Sequence, residues 1–169
     1  MIEYTLIYSD RRTLSASIKD GKLIVRAPRK YPQRRIDEFL EKHRVWIEKN
    51  LAREKEKQCK IDSLSDSELV DLRKFAREYL ERKTRYYADI MGIKYGRITI
   101  TSAKTRFGSC SSKGNISYSY RLMLYPESAR EYVVVHELAH ILEMNHSKKF
   151  YSHVERILPD YKERRRMLK

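Results

Sequence analysis

The stretch VVVHELAHILEMNH, Val133 to His146, places three of the chain's five histidines within eleven residues of an otherwise apolar segment. Its Val, Leu, Ala and Ile residues run around most of the circumference of a helix, the pattern of a helix buried inside a fold. An unpaired imidazole in such a setting costs about 1 to 3 kcal/mol. The histidines therefore need a partner, and their spacing indicates which kind. His136 and His140 are four residues apart, hence about 40 degrees apart around a helix and one turn apart along it. Both rings can reach one metal ion.

Glu137 follows the first histidine, where its carboxylate can take a proton from a water held at that ion. This is the H-E-x-x-H arrangement of zinc peptidases, which makes Glu137 the expected catalytic base and His136 and His140 the expected ligands of Zn2+. A third donor must come from beyond the helix. His146, six positions past His140, is the favoured one if the chain reverses at Asn145, a residue that tolerates the left-handed conformation. Glu155 on the following helix is the rival, and His153 stands behind both. The spacing matches H-E-x-x-H-x-x-G-x-x-H, but Glu143 occupies the glycine position, so the turn is expected later than in that motif. Three protein donors leave a fourth position for water, the mark of a catalytic zinc site.

Outward from this helix, the pattern is α+β. Ile2 to Pro28 alternates like strands, with Asp20-Gly21 as a hairpin turn. The segment RRIDEFLEKHRVWIEKNLAREKEK then reads as one long helix on its apolar spacing. Ser65 and Glu68 stand in capping-box spacing before a second helix whose stripe is Leu69, Leu72, Phe75, Ala76 and Leu80, ending at Gly92. Three strand candidates follow, RITITSA, TRFGSCSS and NISYSYRLML, the last two joined at Lys113-Gly114. Pro126 opens the histidine helix, Ser147 caps another that extends through Leu158, and Pro159 with Asp160 starts a short basic one. The expected division is an N-terminal β layer, residues 1–30, and a helical and catalytic region, residues 31–169, in one compact unit.

The chain has 169 residues, with 37 Lys and Arg against 23 Asp and Glu, a net charge of +14. Such a charge favours encounters with anions and permits contact with nucleic acid or nucleotides, although no nucleic-acid fold signature accompanies it. Cys59 and Cys110 form no C-x-x-C pair, which excludes a cysteine zinc ribbon and a disulfide framework. No apolar run is long enough for a membrane span and no signal peptide is apparent, so a cytoplasmic location is expected. Two other functions fit parts of this composition: zinc-dependent hydrolysis of a nucleotide phosphoanhydride, and a nucleic-acid-associated module with a structural metal.

Over nearly its whole length the chain resembles the YgjP-like family of zinc metallopeptidases, relatives of the SprT-like and WLM groups. The matching pieces are RTLSASIKDGKLIVRAP, IDEFLEKHRVWI, RFGSCSSKGNISYSYRLMLYP and VVVHELAHILEMNHSKKFY, in that order. The resemblance implies a zincin-like fold with a small sheet on helices, His136, His140 and His146 as ligands, and Glu137 as base. Phe107 and Phe150-Tyr151 stand where many members have Trp and F-W. The strand within Arg106 to Leu124 is the expected edge for a peptide substrate docked by β-addition. Cys110 reads as a buried thiol, and Tyr118, Tyr120 and Tyr151 are oxyanion candidates by residue type alone. His43 and His153 read as surface or internally satisfied residues.

Overall fold

The computed structural model describes residues 3–19 and 21–168. It divides into two compact units, residues 1–63 and 64–169.

In the first unit β1 (Tyr4–Ser9), β2 (Ser15–Lys19) and β3 (Lys22–Pro28) form a sheet of order β1-β3-β2. β2 and β3 are an antiparallel hairpin, and β1 joins β3 in parallel. Asp20 of the expected turn lies outside the described residues, while Gly21 takes φ 71°, a conformation that a residue without Cβ adopts freely. Alternation along β3 buries Leu23, Val25 and Ala27. These pack with Ile36 and Leu40 of α1 (Gln33–Lys42) and Ile47 of α2 (Arg44–Asp62). The first unit extends to residue 63 because these two helices complete the sheet's own core.

The expected long helix is also two helices. It breaks at His43, whose backbone leaves helical geometry at φ −106°, ψ 12°. The His43 ring turns back on its own helix, with Nδ1 2.8 Å from the Phe39 carbonyl oxygen and the ring 4.3 Å from that of Phe39. Apolar spacing runs on through this local bond without a sign of it.

The second unit opens with α3 (Asp66–Met91). Ser65 Oγ accepts the Glu68 N–H, and the Glu68 carboxylate accepts the Ser65 N–H, so the capping box is present. Gly92 ends the helix at φ 66°. The buried stripe begins at Ala76 and continues through Leu80, Thr84, Ala88 and Met91, while Phe75 is 51% exposed. β4 (Ile98–Thr101), β5 (Gly108–Cys110) and β6 (Ile116–Ser119) make a second sheet, order β4-β6-β5. β4 runs parallel to β6 and β5 antiparallel. Ile116 and Tyr118 are buried, and the Tyr118 hydroxyl meets Thr84 Oγ1 of α3 at 3.1 Å.

The strand expected through Leu124 stops at Ser119. Ser119 Oγ accepts the Arg121 N–H, and Tyr120–Leu124 winds into a 3-10 turn that buries Tyr120, Leu122 and Met123. α4 (Glu127–Leu142) starts after Pro126 and packs against α3, β5, α5 (Lys148–Ile157) and α6 (Tyr161–Arg166). Val134, Val135, Leu138 and Ala139 are fully enclosed, each large apolar side chain contributing about 1.5 to 3 kcal/mol by leaving water. Polar ties cross these helices as well. Glu131 of α4 accepts from Lys83 of α3 at 2.6 Å and from Arg164 of α6 at 2.7 Å. The result is an α+β fold in which a central helix presents one polar flank.

Candidate metal centre

That flank carries His136 and His140, whose ring centroids are 5.0 Å apart. α4 ends at Leu142, and Glu143 leaves it in an extended conformation, φ −150°, ψ 108°. The reversal thus starts at Glu143 and not through a left-handed Asn145. Among the described residues other than glycine, Lys30 alone has positive φ. Ser147 then fixes the start of α5 by accepting the Phe150 N–H at 3.2 Å. Between these two anchors His146 swings back over the helix, its ring 4.9 Å from His136 and 4.7 Å from His140.

Each of the three imidazoles offers one nitrogen to a common point, all within 4.8 Å of one another, and His136 Nε2 lies 3.0 Å from His146 Nε2. Nitrogens bound at 2.0–2.1 Å to a tetrahedral ion stand about 3.3 Å from each other, so the His136–His146 pair is already close to the spacing of two bound nitrogens. Glu155 is exposed and, like His153, stands outside this cluster.

The His140 ring is held in the form a metal needs. The Glu143 carbonyl, 3.3 Å from His140 Nδ1, can only accept, so the proton sits on Nδ1 and the Nε2 lone pair is free. Tyr132, one turn before His136 on the same helix face, brings its hydroxyl 3.3 Å from His136 Nδ1. Burial, reinforced by His140, His146 and Arg165, pushes the His136 pKa down to about 3, and burial lowers that of His140 as well. Beneath all three lies the fully buried Phe150, its ring 4.9, 4.5 and 4.8 Å from those of His136, His140 and His146.

Glu137 is 5% exposed and points toward β5, where burial pushes its pKa up to about 7. Gly108 makes room for it. A Cβ on Gly108 would lie 2.6 Å from Glu137 Oε1 and 2.7 Å from its Cγ. Cys110, on the same face of β5, is half-buried with its thiol pKa raised to about 11 by burial and then by Glu137, and it stands apart from the nitrogen cluster. Among the tyrosines expected near the site, Tyr118 spends its hydroxyl on Thr84, and Tyr120 is buried with the Arg73 and Arg121 guanidinium groups over its ring. Tyr151 remains. It lines a cleft of about 550 Å³ together with His136, Glu137, His146, Gly108, Tyr132 and Arg165.

The sequence model of a family described as YgjP-like, metallopeptidase domain, matches residues 12–71 and 68–169. The chain belongs to this family. A metal ion and a peptide or protein substrate therefore belong to the chemistry of this YgjP-like chain. About half of the chain is similar to two solved zymogens. That of the metallopeptidase abylysin from Pyrococcus abyssi is 26% identical, with a TM-score of 0.49 over 53% of this chain and 90% of that one. That of the metallopeptidase jannalysin from Methanocaldococcus jannaschii is 19% identical, with a TM-score of 0.47 over 53% and 92%. No curated protein matches the chain. Among the described residues no helix is long and apolar enough to cross a membrane.

The sequence did not single out Phe150, Tyr132, Gly108 or Arg165 as neighbours of the site. Only Tyr132 carries a local signal, because it lies four residues before His136 on the same helix.

Proposed function

We propose that the chain is a zinc-dependent peptidase in which His136, His140 and His146 hold the ion and Glu137 is the general base. The observation that carries this reading is the meeting of three imidazole nitrogens within 4.8 Å of one another beside a carboxylate buried in the same cleft. Three neutral nitrogen donors with an open side suit a catalytic zinc, and the absence of a thiolate in the set sets it apart from cysteine-bound structural sites. Zinc held there supplies Lewis acidity, bringing water toward a pKa of about 7 and polarising a carbonyl.

The chain's own groups do the rest. Glu137 accepts a proton from the attacking water as the new C–O bond forms, holds it on its carboxylate, and passes it to the amine nitrogen as the C–N bond breaks. The sheet order β4-β6-β5 leaves the outer edge of β5 beside the cleft, where an extended peptide can add as a further strand. Tyr151, at the cleft wall, is placed to donate to the carbonyl oxygen as charge develops on it.

The test compares zinc content and peptide hydrolysis in the wild type and in Glu137→Gln. The variant is expected to keep its zinc and lose about 10²- to 10⁴-fold in kcat. Undiminished hydrolysis with zinc bound would remove Glu137 from its role.

A further inference from the structure

α6 presents two adjacent arginines in different ways. Arg164 is fully engaged, donating to Glu131 at 2.7 Å and to Asp160 at 2.8 Å. Arg165 is rotated about 100 degrees around the helix from it and lines the cleft instead. Among the described residues no carboxylate pairs with Arg165. Its Nη1 donates to the Tyr151 hydroxyl oxygen at 3.5 Å, and its charge is felt at Tyr132 and His136. Arg165 and Arg166 are both exposed, but Arg166 does not line the cleft.

We propose that Arg165 is a specificity-determining residue that selects substrates bearing a carboxylate close to the bond to be cut. This inference rests on the peptidase reading above and names the substrate class for it. Glu137 is the one acidic side chain among the cleft's described lining residues, and it faces β5. The lining also includes Arg165 and Tyr151 together with the apolar Val133 and Leu168. A guanidinium with free donors at the edge of an apolar cleft binds a carboxylate through two parallel N–H···O bonds. An amide side chain of the same shape forms weaker bonds there, and a lysine side chain is repelled.

Two sources can supply the carboxylate, an acidic side chain beside the cleaved bond or the free C-terminus of a short peptide. The experiment uses zinc-loaded full-length protein and matched fluorogenic peptides with Glu, Gln or Lys on either side of the bond. Each peptide is made with a free-acid end and with an amidated end. The wild type is expected to favour Glu over Gln about tenfold in kcat/KM. If the carboxylate is that of the C-terminus, the preference follows the free-acid end instead. Arg165→Glu should abolish the carboxylate preference and shift it toward Lys, Arg165→Gln should only level it, and Arg166→Glu should leave it intact. Equal use of Glu, Gln and both ends by an active wild type, or a preference that survives Arg165→Glu, overturns the inference and leaves the peptidase reading standing. A zinc-loaded wild type that cleaves no peptide of a broad unstructured library overturns both.

Discussion

Replacing Gly108 with alanine tests the site at its closest approach. In most strands such a change is mildly favourable, stabilising by about 0.4 to 1 kcal/mol because alanine loses less backbone freedom on folding. Here the added methyl would lie 2.6, 2.7 and 2.8 Å from Oε1, Cγ and Cδ of Glu137. Carbon contacts settle near 3.5 to 4.0 Å, so the carboxylate or the strand must yield by about 1 Å. If the strand yields, overpacking costs about 1 to 3 kcal/mol of stability. If the carboxylate yields, a 1 Å displacement of a reacting group costs about 10²-fold in kcat, or roughly 2.7 kcal/mol of barrier. Glu137 is the softer partner, since β5 is held to β6 by its ladder from Gly108 to Cys110. Gly108→Ala is therefore expected to keep its zinc, lose little in thermal stability, and fall about a hundredfold in kcat with KM nearly unchanged. These are measured by metal analysis, thermal denaturation and steady-state peptide hydrolysis. Activity within about threefold of wild type, in a folded and zinc-loaded variant, would refute the claim that this glycine exists to admit Glu137.

Phe150→Ala removes the ring beneath all three imidazoles and should cost about 3 to 5 kcal/mol, read by chemical denaturation, with zinc bound more weakly in a competition titration. Saturating zinc should stabilise the wild type by about 2.7 kcal/mol at a hundred times its dissociation constant, a gain visible as a rise in Tm that His146→Ala largely abolishes. The carboxylate of Glu131 should give acid sensitivity. Burial raises its pKa, but the hydrogen bonds from Lys83 and Arg164 outweigh this and leave it below the ordinary carboxylate value. Its stabilising effect is then present above the unfolded-state pKa of about 4.3 and is lost as pH falls through the lower folded value. Denaturation midpoints followed from pH 6 to 3 should drop more steeply for wild type than for Glu131→Gln below about pH 4.5, and parallel curves would contradict the assignment.

The parts of this architecture that the sequence makes legible are those written in local chemistry. Ser65 with Glu68, Gly92 and Ser147 mark helix ends through bonds formed within four residues, Pro126 marks one through its fixed φ, and each mark agrees with the structure. His136, His140 and His146 come together as their spacing implies, because a helix fixes the first pair and a short loop leaves the third few places to go. The illegible parts depend on a competing bond or on distant partners. Nothing in the apolar period announces that the His43 ring will bind back to Phe39 and break the helix, or that Ser119 will turn a strand pattern into a 3-10 turn. The early departure at Glu143 is another case, since an extended residue there reaches His146 without the left-handed step that Asn145 could have offered. Phe150, Gly108 and Arg165 join the site from α5, β5 and α6, and no local pattern in any of those segments refers to α4.

For the ligand set proposed above, the division of the three imidazoles between a rigid helix and a connecting loop has a consequence for metal choice. His136 and His140 ride on α4, whose buried core fixes the bite between them, whereas His146 sits exposed between the end of one helix and the cap of the next. Ions of different radius are thus accommodated by moving one tether of four residues, with no repacking of the interior. Discrimination among divalent ions falls to the fixed pair, and the rate of exchange falls to the loop, so the two properties can evolve through separate substitutions.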